Sequence, residues 1–443
     1  MSHRRLAVLA ALLLVAACAS GPPDHPAPPP HHPGGPPSPA AGAPAEPTGE
    51  IALADVLAAA LLGSPELAGA SFAVRSAEAR LLSAGRLPNP ELSLEAEEFG
   101  GQGGYGGFDA AELGVGLSQE ILLAGQLGHH EDEARAGLDR AAHEHEAARL
   151  CALARAARAF YEVLAAQERL RVLEATARLG DEVARSVGER IAAGQTPRVE
   201  ESRALLEREL VRLGEERARR DLDVKRHALA ATWGGDRAAF SSVTGDLGAV
   251  RPAPPLARVE AFLPGSPGLR ALAAEVEAAK ARLALEKARR IPDLTLQASV
   301  RHARESGEAF FTVGVSVPLP IFDRNEGAVL EAAAELDRAR AEARAAEVGL
   351  RQELLVAHDA LAGAAREVAA LAERVVPAAR LLLTAARDSF ELGKTGSLEV
   401  LDAWRTLLEA EESLVTARAA WHAARADVER ITGRDLVSME RSD

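Results

Sequence analysis

Glu399 and Asp402 stand three residues apart in a 443-residue chain, on the stretch Gly393-Lys394-Thr395-Gly396-Ser397-Leu398-Glu399-Val400-Leu401-Asp402. On a helix both carboxylates share one face. Brought together in several copies, such a pair makes a charge ring that selects cations and holds multivalent ions. The plainer alternative is a solvated acidic stripe near a helix N-terminus, favoured by the dipole. Leu398 and Leu401 share a neighbouring face and are expected to pack inward. A further set is His129, His130 and Glu133, followed by His143 and His145. These are metal-ligand types, but on a helix His129 and His143 lie about 21 Å apart at 1.5 Å per residue. His129 with Glu133 remains as a two-ligand candidate, weighed against solvated helix surface. Gly100-Gly101-Gln102-Gly103-Gly104 lacks the Lys-Ser/Thr of a phosphate loop and reads as a hairpin tip. Nothing else resembles a nucleophile, a metal cluster or a cofactor fingerprint, so the chain reads as no enzyme.

Composition narrows the class further. The formal charge is −14 and aromatics make up 3% of the chain, which argues against a nucleic-acid surface. Two cysteines exclude a disulfide framework. One of them, Cys18, follows Arg4, Arg5 and the apolar run Leu6–Ala17, the pattern of a signal peptide. The sequence Val15-Ala16-Ala17-Cys18 resembles the bacterial lipobox, which implies cleavage before Cys18 and a covalent lipid on its sulfur. Ala19 follows, not the Asp that marks inner-membrane retention. One lipidated chain anchors marginally, so a second membrane attachment is expected. Residues 18–50 form a tether, with twelve of the 25 prolines between Pro22 and Pro47. Its His25, His31 and His32 fit either metal capture or a solvated linker. The other cysteine, Cys151, reads as a small buried residue. No run of 18 apolar residues follows the tether, so a membrane span would have to be a β-barrel.

The body is a duplication. Ser64-Pro65 matches Ser266-Pro267, Pro90–Leu94 matches Pro292–Leu296, and Gly194, Thr196, Gly234 and Asp236 match Gly393, Thr395, Gly433 and Asp435. The offset drifts only from 202 to 199, so two units, 51–250 and 251–436, are nearly colinear, with a tail at 437–443. Each unit opens with a helix (Pro65–Arg86 in the first) and continues with two strands. Leu92, Leu94 and Ala96 alternate with polar residues, as do Leu113, Val115 and Leu117, then Leu294–Val300, then Phe311–Val317. Period two suits a half-buried sheet or a barrel wall with lipid outside and water inside. Phe99, Tyr105, Phe108, Phe310 and Phe311 are expected near the hairpin tips, as an interfacial aromatic girdle would be. A proline-free segment from Ala124 to Ile191 predicts a helix of about 100 Å. Leu150, Leu153, Ala157, Phe160 and Leu164 step by three and four, as do Leu350, Leu354, Ala357, Leu361, Ala364, Val368, Leu371 and Val375. Pro377 is expected to kink or open the second long helix. Turns at Ala193–Pro197 and Leu392–Gly396 reverse the helices, with Gly194 and Gly393 suited to helix ends.

Two such units resemble the TolC-type outer-membrane efflux proteins over about residues 51–436. The most specific stretches are Ser118-Gln119-Glu120-Ile121 and Pro318-Leu319-Pro320-Ile321-Phe322-Asp323-Arg324-Asn325-Glu326-Gly327. The stretch from Pro318 to Gly327 is especially similar to the CzcC-like heavy-metal branch. Where that branch carries a Glu-Leu-Gly-Gly-Lys-Arg-like run, this chain reads Leu122-Leu123-Ala124-Gly125-Gln126-Leu127. The resemblance implies a mainly α fold with a small β part: long antiparallel coiled-coil helices forming a trimeric α-barrel, and four strands per chain in a shared twelve-stranded transmembrane β-barrel. It also implies a passive exit duct in the outer membrane, working with a periplasmic adaptor and an inner-membrane pump. By the same resemblance Glu399 and Asp402 are aperture acids. The adaptor-contacting tips are Gly194, Gln195, Thr196 and Val199, with Gly393, Lys394, Thr395, Leu398 and Val400. The competing reading is a non-porous coiled-coil envelope lipoprotein with a scaffolding role, which would have no use for four amphipathic strands.

Overall fold

The computed structural model describes residues 46–103, 106–108, 110–192 and 198–436. The chain is mainly helical with two small sheets. It begins with β1 (Gly49–Ala52), α1 (Leu53–Gly63) and α2 (Pro65–Ala84), then the hairpin β2 (Glu91–Glu97) and β3 (Glu112–Ile121). The long α3 (Gln126–Ala192), α4 (Arg198–Ala231) and β4 (Phe240–Thr244) complete the first unit. The second unit repeats the order with α5 (Leu256–Glu260), α6 (Pro267–Ala288), β5 (Leu294–Ala303), β6 (Glu308–Ser316), α7 (Glu326–Ala370), α8 (Val376–Glu391) and α9 (Ser397–Thr432). The matched Ser-Pro pairs do the same work in both: Ser64 and Ser266 cap α2 and α6, each hydroxyl accepting from the N–H three residues on. Proline at the first helical position loses no hydrogen bond there.

The 67 residues of α3 span about 100 Å. This helix packs against α1, α2, α4, α6 and α9, so it buries several faces. Phe160 and Leu164 of the expected stripe are buried, whereas Leu150, Leu153 and Ala157 are half-buried and Ala152, Ala154 and Ala156 lie inside instead. Small residues let five neighbours approach one helix. Cys151 is exposed rather than buried, because it lies on the remaining outer face.

Mid-length, Phe160, Val163, Leu229, Trp233 and Phe240 build one core between α1, α3, α4 and the parallel pair β1–β4. Buried Gln167 extends that pair like a third strand: its amide accepts from Val243 N–H at 2.8 Å and donates to Val243 C=O at 2.9 Å. The second unit has its own core of Val259, Leu354, Leu361, Trp421 and Val428.

The stripe of α7 runs as expected from Leu354 to Val368 and then slips. A π-turn at Leu371–Val375 precedes Pro377, with the Val376 N–H donating to Leu371 C=O. Pro377 has no N–H to give and crowds the carbonyl four residues back, and a π-turn absorbs both. It inserts one residue into the seam. Val375, expected in the stripe, is therefore 44% exposed, and Val376, Ala379 and Leu383 take over the buried positions.

β2, β3, β5 and β6 form one antiparallel sheet in that order, so the two units share it through β3–β5. The register aligns Leu94, Val115, Val300 and Phe311 in one row and Glu95, Gly114, Arg301 and Phe310 in the next. Alternation thus gives an apolar and a polar face. Leu92, Leu94, Leu113, Val115, Val313 and Val315 are exposed on the apolar face. Phe99 and Phe108 stack at 5.6 Å beyond the first hairpin, while Phe310 and Phe311 sit inside β6, short of the tip where they were expected. Tyr105 lies outside the described residues. Among the described residues no single helix is long and apolar enough to cross a membrane.

The slipped seam has a direct test. Val376→Ala is expected to cost about 2 kcal/mol by leaving a cavity, and Val375→Ala less than about 0.5 kcal/mol. Denaturant midpoints of the two variants measure the order; the reverse order would restore the uninterrupted heptad.

Candidate functional site

The lower end of the helices is built around the reversal between α8 and α9. Gly393 takes a left-handed φ of +68°, and its N–H and that of Lys394 each donate at 2.9 Å, to the carbonyls of Phe390 and Ser389. A side chain would be strained at that position. Gly396 then leads into α9. Val400, Leu401, Ala403 and Trp404 pack on Val187, Val211, Leu383 and Phe390 in a separate core. Val400 is only 1% exposed, so it is a core residue and not part of the surface expected to meet an adaptor. Leu401 is buried as expected, but Leu398 is 55% exposed, since the inward face of the first turn is taken by Ser397 and Val400. Val199, Lys394 and Leu398 are exposed around this end, and Thr395 is half-buried. Gly194, Gln195 and Thr196 lie outside the described residues, as does Cys18.

Glu399 and Asp402 are both exposed, on the side of α9 away from Val400 and Leu401. Neither carboxylate has an ion-pair partner among the described residues. Their counterparts in α4 differ: Glu200 accepts from the Ser397 hydroxyl and pairs with Arg203 at 3.3 Å. Only the second unit presents two free acids, as its sequence implied.

The two hairpins are tied across. The Arg190 guanidinium, in the last turn of α3, donates to the Phe390 carbonyl in the last turn of α8 and lies 4.5 Å from the centroid of that ring. Arg387 reaches Glu182 at 3.4 Å, and Arg405 pairs with Glu207. Arg190 carried no periodic or motif signal, because its partner is a main-chain carbonyl two hundred residues away.

At the other end lie the joints between sheet and helices, one of them inside the specific stretch Pro318–Gly327. Asp293 accepts from the Leu123 N–H and from the Gln126 amide, both at 2.8 Å, and Gln126 is buried. Asn325, at a φ of +59°, donates its amide to the Glu286 carbonyl at 2.8 Å, while Asp323 accepts its N–H at 2.9 Å. The start of α3 is thus locked to the turn that follows α6, and the start of α7 to the last turn of α6. His129 and Glu133 are half-buried nearby, but no third ligand comes to them: no three His, Cys, Asp or Glu among the described residues could hold a metal ion.

Between the two ends lies a group the sequence did not single out. His422 on α9 is 1% exposed, stacks on Tyr161 at 3.7 Å, and places Nε2 3.2 Å from the Leu247 carbonyl. Burial pushes its pKa down to about 4.

The family model for outer membrane efflux proteins matches residues 56–235 and 259–434, one match per unit. The chain belongs to this family. It is 30% identical over 393 residues to the cobalt-zinc-cadmium resistance protein CzcC of Cupriavidus metallidurans, covering 88% of this chain and 92% of that protein. The outer membrane protein VceC of Vibrio cholerae superimposes with a TM-score of 0.73 at 21% identity, over 87% of this chain and 96% of the other. A membrane protein of Pseudomonas aeruginosa gives 0.74 at 23% identity, over 86% and 93%. The expected membership and the mainly helical fold with strands are therefore correct, and the family consists of efflux channels rather than enzymes.

A buried neutral His422 makes stability depend on pH. As pH falls, the unfolded chain takes up its proton near the ordinary value of about 6.5, before the folded chain does near 4. Its contribution is complete above about 6.5 and is lost as pH drops toward 4. Thermal unfolding of wild type should show this slope and His422→Phe should flatten it; an equal slope in both would assign the pH dependence elsewhere.

Proposed function

We propose that three copies of this chain close a twelve-stranded β-barrel in the outer membrane above a helical periplasmic tunnel. The assembly is the passive exit duct of a tripartite efflux system, fed by an inner-membrane pump through a periplasmic adaptor. The observation that carries the reading is the four-stranded sheet with one exposed apolar face and two unpaired edges, β2 and β6. Lipid would cover the face, and only further copies of the sheet would satisfy the edges. Four strands are too few for a closed barrel, whose smallest bacterial forms have eight. The likeness to the cobalt-zinc-cadmium resistance protein favours divalent heavy-metal cations as cargo. The lipid on Cys18 is a second, weaker attachment.

In this assembly Glu399 and Asp402 repeat around the axis and form an acidic aperture at the periplasmic end. Val199, Lys394 and Leu398, with the turn at Gly194, Gln195 and Thr196, form the adaptor-facing tips. Purified protein in a planar bilayer tests the duct directly. Discrete channels are expected, and Glu399→Ala/Asp402→Ala should conduct more at rest, lose cation preference and escape block by multivalent cations. A double variant indistinguishable from wild type would remove these acids from the aperture, and wild-type protein that never conducts would favour the scaffold.

The anchor is tested separately. Mass spectrometry of the mature N-terminus should find acyl chains on Cys18, and Cys18→Ser should lack them yet still assemble. An unmodified Cys18 in the mature wild type would rule the lipobox out.

A further inference from the structure

The charges of the sheet are segregated by face. Its strands contain six glutamates and one basic residue of the Lys/Arg type, Arg301, and the register puts all seven on the polar face. Arg301 lies on β5, whereas the carboxylates it holds lie on β2, two strands away. It pairs with Glu95 at 2.9 Å and with Glu97 at 2.7 Å.

Strands are spaced by about 4.8 Å, so this ion pair must bridge nearly 10 Å of sheet. It does so over Gly114, which stands between Glu95 and Arg301 in the same row. A Cβ on Gly114 would lie 3.4 Å from Arg301 Cγ and 3.6 Å from Glu95 Cβ, so a larger side chain would occupy the path of the guanidinium. A glycine inside a strand weakens it and marks a close approach; here the approaching group is the arginine.

Elsewhere the acids meet arginines nearly one for one: a cavity of about 680 Å³ across α2, α3, α6 and α7 is lined by four arginines and five glutamates, with Arg140–Glu275 and Arg282–Glu335 paired at 2.6 and 3.0 Å. On the polar face of the sheet six glutamates meet one arginine, so Arg301 is what offsets the acids there.

We propose that Arg301 is a selectivity-determining residue of the barrel. It clamps Glu95 and Glu97 across Gly114 and holds the wall acidic enough to admit cations but too weakly acidic to retain divalent ones. The inference rests on the duct reading, which makes the polar face the lumen. Two carboxylates on one face of a strand, two residues apart, form a binding spot for a divalent cation once their shared arginine is removed. Conduction requires that an ion bind well enough to enter and weakly enough to leave. Occupying both acids with a fixed guanidinium keeps the site on the weak side of that balance.

The test uses full-length protein in planar bilayers under a KCl gradient, with cobalt chloride as the blocking probe. Arg301→Gln is expected to raise the K⁺/Cl⁻ permeability ratio about twofold or more and to lower the half-blocking cobalt concentration about tenfold. Arg301→Lys, which keeps the charge, should stay near wild type. Glu95→Gln/Glu97→Gln, which leaves the guanidinium unopposed, should lower the K⁺/Cl⁻ permeability ratio, and adding both changes to Arg301→Gln should return cobalt block to the wild-type level. If wild type conducts and Arg301→Gln keeps wild-type selectivity and block, or the triple variant keeps the tighter block, the inference is overturned and the duct stands. If wild type gives no current, the duct reading falls and takes this inference with it.

Discussion

A sheet of four strands with open edges and one apolar face is a structure that its own chain cannot complete. β2 and β6 each leave a row of N–H and C=O groups without strand partners among the described residues, and the large side chains of the apolar face are exposed. In lipid an unpaired peptide group costs several kcal/mol, which leaves closure as the way to satisfy the edges. In the assembly we propose, the helices present the sheet at a fixed height and angle so that copies meet edge to edge. Duplication supplies that presentation, because two units joined through β3–β5 hold two hairpins on matching helices.

The joints carry the alignment. Asp293 binds the first residues of the turn into α3, and Asn325 binds the end of α6 from the turn into α7. Both are compact polar groups in places where a helix starts or stops and main-chain groups lack helical partners. Their hydrogen bonds fix the direction of a helix about 100 Å long, so a small angular error at the joint would be magnified along its length. That is a physical reason for the specific stretch Pro318–Gly327, which contains Asn325, to lie at a joint rather than along the helices, where Ala, Leu, Glu and Arg exchange at little cost.

Most of the frame was legible because its signals are local and periodic. Ser64-Pro65 and Ser266-Pro267 announced two capped helices, the alternation from Leu92 to Val317 announced the sheet, and Pro377 announced a disturbance in its helix. What escaped was decided by neighbours. Val375 fell out of its stripe because a π-turn shifted the phase by one residue, an effect that heptad counting does not contain. Val400 and Leu398 exchanged expected environments because Ser397, through its contact with Glu200, fixed which side of α9 faces inward. Cys151 is exposed because α3 has more neighbours than a single stripe describes. Glu399 and Asp402 were legible as a pair sharing a face, whereas Arg190, whose partner is a backbone carbonyl, was not legible at all.

The cores differ in which elements they join. The two middle cores gather Phe160, Trp233 and Phe240 in one unit and Leu354, Leu361 and Trp421 in the other, each drawn from several elements. Towards the tips the two hairpins share one core around Val400 and Trp404, tied further by Arg190 on the Phe390 carbonyl, by Ser397 on Glu200 and by ion pairs such as Arg387–Glu182 and Arg405–Glu207. Burying one large apolar side chain contributes about 2–3 kcal/mol, and an exposed ion pair about 0–1 kcal/mol. A displacement at the tip that breaks only the exposed pairs therefore costs far less than one that opens the core. In the duct we propose, a gate at Glu399 and Asp402 would move by exchanging such exposed pairs while the apolar seam around Val400 and Leu401 stays closed.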